Sequence, residues 1–415
     1  MHQTPVSIAV IGAGGRGRGF AEMIKHSFSH LARVVAVAEP RDAYRRDVAA
    51  LWQLPDERVF CDWRALVAQP KLADAVIVAT LDREHAGPAI ACLDKGCHLF
   101  LEKPMAVTLA ECEAIAAAAT RAKAITTVCH SLRYHKGKRL LADIVRSGRI
   151  GRVMTLDQIE QVAWWHQAHS FVRGNWGDSR TSTFMLMAKS CHDLDYIASL
   201  TDEECARVSS FGSLTHFRPE QAPAGAAARC VACAIEPECK YSAIRHYVNA
   251  NREHWPAVVC SHDHSREAHY RAITDGPYGR CVWHCGNDVV DHQVVAMEFS
   301  GGMTATFTMT GFTQHNSRMI RVNGTEGEAL FDGDITVRDF ASGNEERIHV
   351  AAEHGGHGGG DERLMLDWLR ALHANDASLV RTSVHESLRT HRIVFAAEKA
   401  RQERRVVELR EMMPG

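Results

Sequence analysis

Residues 6–20 read Val6-Ser7-Ile8-Ala9-Val10-Ile11-Gly12-Ala13-Gly14-Gly15-Arg16-Gly17-Arg18-Gly19-Phe20. Val6, Ile8, Val10 and Ile11 are β-branched, the composition of a buried strand. The strand runs into Gly12-x-Gly14-x-x-Gly17, and Phe20 to Ile24 continues with helical character. In a strand–turn–helix unit each glycine has its own task. Gly12 permits the tight turn, Gly14 lets the backbone approach a pyrophosphate, and Gly17 lets the helix lie close on the strand. The helix start then offers unpaired N–H groups and a partial positive charge to phosphates. Glycine-rich turns also arise for structural reasons alone, so the surroundings decide.

A second apolar run, Arg33 to Ala38, ends at Glu39, about 20 residues beyond the turn, where an acid holds a ribose 2′-OH and repels a 2′-phosphate. That predicts NAD over NADP, with Arg41 as the one feature that would suit NADP. A third run, Asp74 to Thr80, precedes a helix from His85 to Lys95 stopped by Gly96. His98 to Leu101 closes on Glu102-Lys103-Pro104. Thr108-Leu109-Ala110-Glu111 is a capping box opening an alanine-rich helix, and Ile125 to Cys129 reads as the last strand. This alternation predicts a doubly wound parallel sheet over residues 1–128, whose ligands sit beyond the carboxyl ends of its strands. Gly12, Gly14, Gly15, Arg16, Gly17, Glu39, Thr80, His85, Glu102, Lys103 and His130 are accordingly assigned to the cofactor. Lys103, set between an acid and a proline at the cofactor edge, is also a catalytic candidate.

Residues 129–415 change character. Tyr134 to Ser147 reads as a helix and Val153 to Val162 as a strand. The following loop, residues 164–176, holds Trp164, Trp165, His166, His169, Arg173, Asn175 and Trp176. Indole faces stack on a pyranose while polar groups bond its hydroxyls; a loop pinned to the core by its tryptophans would look the same. A helix near Ser182 to Leu200 carries Lys189, His192 and Asp195 along one side. Strands at Val289 to Phe299, Met303 to Thr310, Met319 to Val322 and Ala329 to Phe331 predict an open, mostly antiparallel sheet in an α+β domain. The glycine-rich loop His354 to Asp361 could bring His357 or Asp361 to a substrate, or merely connect. Tyr134, Trp165, His166, His169, Arg173, Trp176, Lys189, Asp195 and His357 are the substrate candidates.

Lys and Arg total 48 against 50 Asp and Glu, which argues against nucleic acid as a partner. No apolar run is long enough to span a bilayer. The first strand starts too early for a signal peptide, and seven of the 13 cysteines are scattered as reduced thiols, so the expected compartment is the cytoplasm.

These motifs give the chain a family likeness over nearly its whole length. It resembles the Gfo/Idh/MocA oxidoreductases, the group of glucose–fructose oxidoreductase and inositol 2-dehydrogenase. The likeness rests on Gly12-x-Gly14-x-x-Gly17, Glu102-Lys103-Pro104, His192-x-x-Asp195 and Gly324-Thr325-Glu326-Gly327. It implies NAD(P)-dependent hydride exchange with a hydroxyl of a sugar, glycoside or cyclitol, with Lys103 as the motif lysine and His192 as the proton-transferring histidine. It also implies association through the open sheet as a homodimer or homotetramer. Some relatives cleave glycosidic bonds by transient oxidation, and a non-catalytic dinucleotide sensor is a further alternative. One departure stands out. The family commonly carries Asp four residues before this histidine, where this chain has Ala188, followed by Lys189.

A segment the family core does not need, about 217–285, holds Cys230-x-x-Cys233, Cys239, Cys260, Cys281 and Cys285. Cys230, Cys233, Cys239 and Cys281 suit a structural zinc, with Cys285 as an alternative fourth ligand; free buried thiols are the other reading.

Overall fold

The computed structural model describes residues 4–70, 73–353 and 355–413. Six strands form a parallel sheet: β1 (Val6–Ile11), β2 (Ala32–Ala38), β3 (Val59–Phe60), β4 (Ala75–Val78), β5 (His98–Leu101) and β6 (Thr126–Val128). Their order is β3-β2-β1-β4-β5-β6, so the direction of winding reverses at β1 and leaves a crevice at the carboxyl ends. β4 is buried at every position and β1 over its last four, as expected of a parallel sheet covered by helices on both faces. The glycine turn joins β1 to the helix Gly15–Ser27, so helix N-terminus and crevice coincide. The capping box is complete: Thr108 accepts from the Glu111 N–H, and Glu111 reaches back to the Thr108 N–H.

Nine further strands make the second sheet: β7 (Val153–Ala163), β8 (Cys205–Ser213), β9 (His292–Phe299), β10 (Thr304–Thr313), β11 (Ser317–Gly324), β12 (Gly327–Phe331), β13 (Ile335–Asp339), β14 (Glu345–Ile348) and β15 (Val407–Glu408). They run β14-β13-β12-β11-β7-β10-β9-β8-β15. Among the described residues β7 and β10 pair in parallel and the other neighbours are antiparallel. The architecture is therefore α/β, a Rossmann sheet followed by a mostly antiparallel one. The inner face of the second sheet buries Phe307, Met309, Val295 and Ile320 with the helices Met185–Ala198 and Val384–Glu403.

The chain also crosses back. The helix Gly360–Ala374 buries Leu364, Met365, Trp368 and Leu369 with Phe20 of the first helix and Phe100 of the first sheet, and Trp368 meets Phe100 edge-on at 5.3 Å. Residues 164–176, expected as a loop, instead form a short helix, Trp164–Ala168, widened into a π-turn at His169–Arg173. All five π-turn residues are buried. No described helix is long and apolar enough to cross a membrane.

Candidate active site

Gly12 takes φ +87°, and a side chain there would stand 2.5 Å from the Ala79 carbonyl oxygen. The turn therefore tolerates only glycine at this point. Gly14 caps the helix without a side-chain hydrogen bond, no acid lies in the first turn, and the space beside Gly15 is open. Unpaired N–H groups, a dipole and an open cradle fit a pyrophosphate.

Glu39 is 3% exposed. Its carboxylate accepts from Ala13 N–H at 2.8 Å and from Arg41 N–H and Nε at 3.1 and 2.7 Å. Burial alone would raise its pKa, but the Arg41 hydrogen bonds override it and hold the group below the usual carboxylate range. An ionised acid thus stands just beyond the carboxyl end of β2, with the Arg41 guanidinium beside it and 4.1 Å over the Tyr44 ring.

Other cofactor candidates are tied into the crevice wall. His85 bridges the Pro104 and Thr80 carbonyl oxygens at 2.7 and 3.2 Å, and Thr80 Oγ1 donates to Glu84 O. Arg16 pairs with Glu102 and, at 2.7 Å, with Asp361. His130 lies wholly inside the wall: neither ring nitrogen has a partner, His391 is edge-on at 5.4 Å, and burial lowers its pKa.

Lys103 emerges from this wall. Its backbone N–H donates to Glu102 Oε2 at 2.6 Å, and Nζ donates to the Ala188 carbonyl oxygen at 2.7 Å. Position 188, where an acid was expected, therefore holds the lysine through its backbone. One turn on, His192 is buried, and burial first of all keeps its pKa well below the usual histidine range. His192 Nε2 sits between a donor and an acceptor, 2.8 Å from Arg318 Nη2 and 3.3 Å from Asp193 Oδ2. Among the described residues Nδ1 has no partner, and the His357 ring is edge-on at 6.0 Å. Asp193 is gripped by Arg318 Nε and Gln158 Nε2, each at 2.6 Å. Lys189 pairs with Glu160 at 2.9 Å, which offsets part of the fall in pKa that burial imposes on it.

The remaining substrate candidates divide. His166 bonds Asn316 Oδ1 at 2.9 Å and packs on Trp165; burial, with Lys189 next, lowers its pKa to about 3. His357 sits on Asp361 at 3.0 Å and on the glycine-rich loop, of which His354 lies outside the described residues. The others are held by partners within the protein. Asp195 is held by Arg133 at 2.6 and 2.7 Å and by Thr390 at 2.9 Å. Burial opposes its ionisation, yet Arg133 brings its pKa down to about 2. The Tyr134 hydroxyl accepts from Arg381 N–H. Trp176 donates to Asp82 at 2.9 Å. His169 meets the Tyr247 hydroxyl at 3.0 Å and stacks on Tyr278. Arg173 spends its guanidinium on the Arg280 and Tyr241 carbonyl oxygens, both at 2.7 Å.

Residues 6–130 match the oxidoreductase family with an NAD-binding Rossmann fold, and residues 142–409 match its C-terminal alpha/beta domain. The chain belongs to the Gfo/Idh/MocA oxidoreductase family. YteT of Bacillus subtilis (strain 168) is 24% identical over 71% of this chain and 71% of its own. The inositol 2-dehydrogenase of Burkholderia multivorans (strain ATCC 17616 / 249) is 30% identical over 48% of this chain and 55% of its own. The chain thus aligns with little more than half of that enzyme. Levoglucosan dehydrogenase, solved with NADH and levoglucosan, shares the fold at a TM-score of 0.72 and 17% identity, covering 98% of this chain and 100% of that one.

In the cysteine-rich segment the expectation of zinc is not supported. Cys230, Cys233, Cys239 and Cys281 do line one cavity. Yet among the described residues no three His, Cys, Asp or Glu side chains are grouped to hold a metal ion. Burial raises the Cys239 and Cys281 thiols, favouring the protonated form over the thiolate that ligates metal. Cys230 Sγ instead accepts from Arg173 at 3.4 Å. Two small apolar clusters, around Tyr241 and Trp283 and around Tyr247 and Ile273, hold the segment together.

Reading the sequence missed Asp193, Arg318, Glu160 and Asn316. Asp193 was visible as the residue after His192. Arg318 and Glu160 had no local signal. They meet because β11 pairs with β7 in a register that sets Arg318 opposite Glu160.

Proposed function

We propose that this protein is an NAD-dependent dehydrogenase acting on a hydroxyl of a sugar or cyclitol. The observation that carries the reading is the convergence of Lys103 and His192: the lysine, from the carboxyl end of the parallel sheet, is bonded to the carbonyl of Ala188 in the histidine's own helix. Bound NAD supplies the hydride acceptor. Arg318 can only donate, so neutral His192 accepts at Nε2 and keeps its own proton on Nδ1; acting as the base, it takes the hydroxyl proton at Nε2. Asp193 then stabilises the imidazolium, in place of the acid absent at position 188. Lys103 donates to the reacting oxygen and holds it in place. The inositol 2-dehydrogenase relatives and the levoglucosan dehydrogenase fold support the substrate class. A screen of sugars, glycosides and cyclitols with NAD tests the proposal by NADH absorbance; no reduction across the panel overturns it. NAD is preferred over NADP, because ionised Glu39 repels a 2′-phosphate. Titration of both cofactors is expected to show tighter NAD binding, and the reverse order would transfer the role to Arg41.

The protein acts as a homo-oligomer through the outer face of the second sheet. Directly paired residues Phe211, Val294, Thr308, Ile159 and Met319 form one uncharged row across five strands. Phe211 is 72% exposed, costly for a face left in water. Light scattering on the wild type is expected to show a dimer or tetramer, and Thr306→Lys with Thr308→Lys to dissociate it. A monomeric wild type, or an assembly indifferent to both charges, refutes this.

A further inference from the structure

The segment 217–285 reaches both halves of the molecule. Its Trp255 lies against the substrate side, with ring centroids 5.2 Å from Trp165, 4.8 Å from His166 and 5.4 Å from His169. A few residues on, His262 bonds Asp47 at 3.0 Å and lies edge-on to Tyr44 at 5.2 Å. Tyr44 is the ring under Arg41. The stretch between them therefore bridges from the aromatic wall of the second sheet to the ribose end of the cofactor crevice.

Trp255 has a feature its neighbours lack. It is boxed on one side by three aromatic rings, yet 45% of it is exposed. A large indole held in one orientation and left half in water is a preorganised stacking face, because its rotamer entropy is already lost. His166, its nearest ring, is in turn bonded to Asn316 and close enough to Lys103 and Lys189 to feel their charges. His166 thus touches Trp255 and lies within electrostatic reach of Lys103. A ring oxidised beside Lys103 and His192 occupies the inner position, and Trp255 faces whatever is attached to that ring.

We propose that Trp255, with Trp165, forms an accessory subsite at the mouth of the cleft that binds the second ring of a glycosidically linked substrate. This rests on the dehydrogenase reading above for the inner ring, but its own test needs no turnover. Calorimetry on the full-length, NAD-loaded protein uses glucose, cellobiose and maltose as probes. At least one disaccharide is expected to bind the wild type about tenfold more tightly than glucose. Trp255→Ala is expected to remove that advantage while leaving glucose affinity within about twofold, and Trp255→Phe to keep most of it. A wild type with no preference for either disaccharide, or a Trp255→Ala loss equal for glucose and disaccharide, overturns the subsite. Retention of the preference in both Trp255 variants overturns it too. If the preference is present and lost in Trp255→Ala while no sugar in the panel is oxidised, the subsite stands and the hydride reading fails. If NADH forms and Trp255 contributes nothing to binding, the hydride reading stands and the subsite fails.

Discussion

Lys103→Ala is expected to bind NAD as the wild type does and to turn over about 10²- to 10⁴-fold more slowly, the usual worth of a positioned acid–base group. Binding should survive because the cofactor is assigned to the Gly12–Gly17 backbone and Glu39, while Lys103 Nζ donates to the Ala188 carbonyl oxygen. The reacting oxygen then loses its donor, and nothing nearby replaces it. Lys189, the next cation on that helix, is already paired with Glu160. Calorimetric titration with NAD, beside steady-state rates on a substrate from the screen, separates the two effects. A purified variant with wild-type turnover would show that Lys103 has no part in the chemistry.

Asp193→Asn is the second large effect. It should lower kcat about 10²-fold with little change in KM, since the imidazolium formed at His192 loses the carboxylate beside Nε2. The pH profile discriminates this from simple loss of structure. Burial depresses the His192 pKa while the Asp193 charge raises it. Removing that charge lets the pKa fall further. The base must be neutral to accept a proton, so the acid limb of the oxidation profile moves to lower pH while the plateau drops. Asparagine retains an oxygen for Arg318 and Gln158, so the fold should be preserved; circular dichroism checks it. An unchanged plateau, or an acid limb moved to higher pH, would remove Asp193 from the relay.

Most of the cofactor half was legible in the residues alone. Runs such as Ala75–Val78 are short, apolar and β-branched, and glycines or caps separate them from helices. These signals act within a few residues, so they survive reading in one dimension. Gly12 and Glu39 were legible for the same reason: each motif position has one physical task. The substrate candidates were less so. His166 and Asp195 look alike in a sequence, as polar residues on an amphipathic stretch. In the structure one sits on Asn316 beside the catalytic groups, and the other is sealed under Arg133 and Thr390. The four cysteines carried zinc spacing, yet spacing along a chain does not set whether folding groups the side chains to hold a metal ion, and among the described residues none are so grouped.

By itself the sequence determined the two sheet types and the glycine turn at the head of the first helix, and it pointed to Glu39, Lys103 and His192 as the groups to test. Only the tertiary structure decided how those groups are held. Helix Gly360–Ala374 returns to the first core, β11 meets β7 in the register that brings Arg318 to Glu160 and Asp193, and the Ala188 carbonyl replaces an expected side chain. Each of these is a contact between residues far apart in the chain. A buried charge is stabilised only by the partner that folding places within hydrogen-bond reach, and local sequence carries no record of which partner that will be.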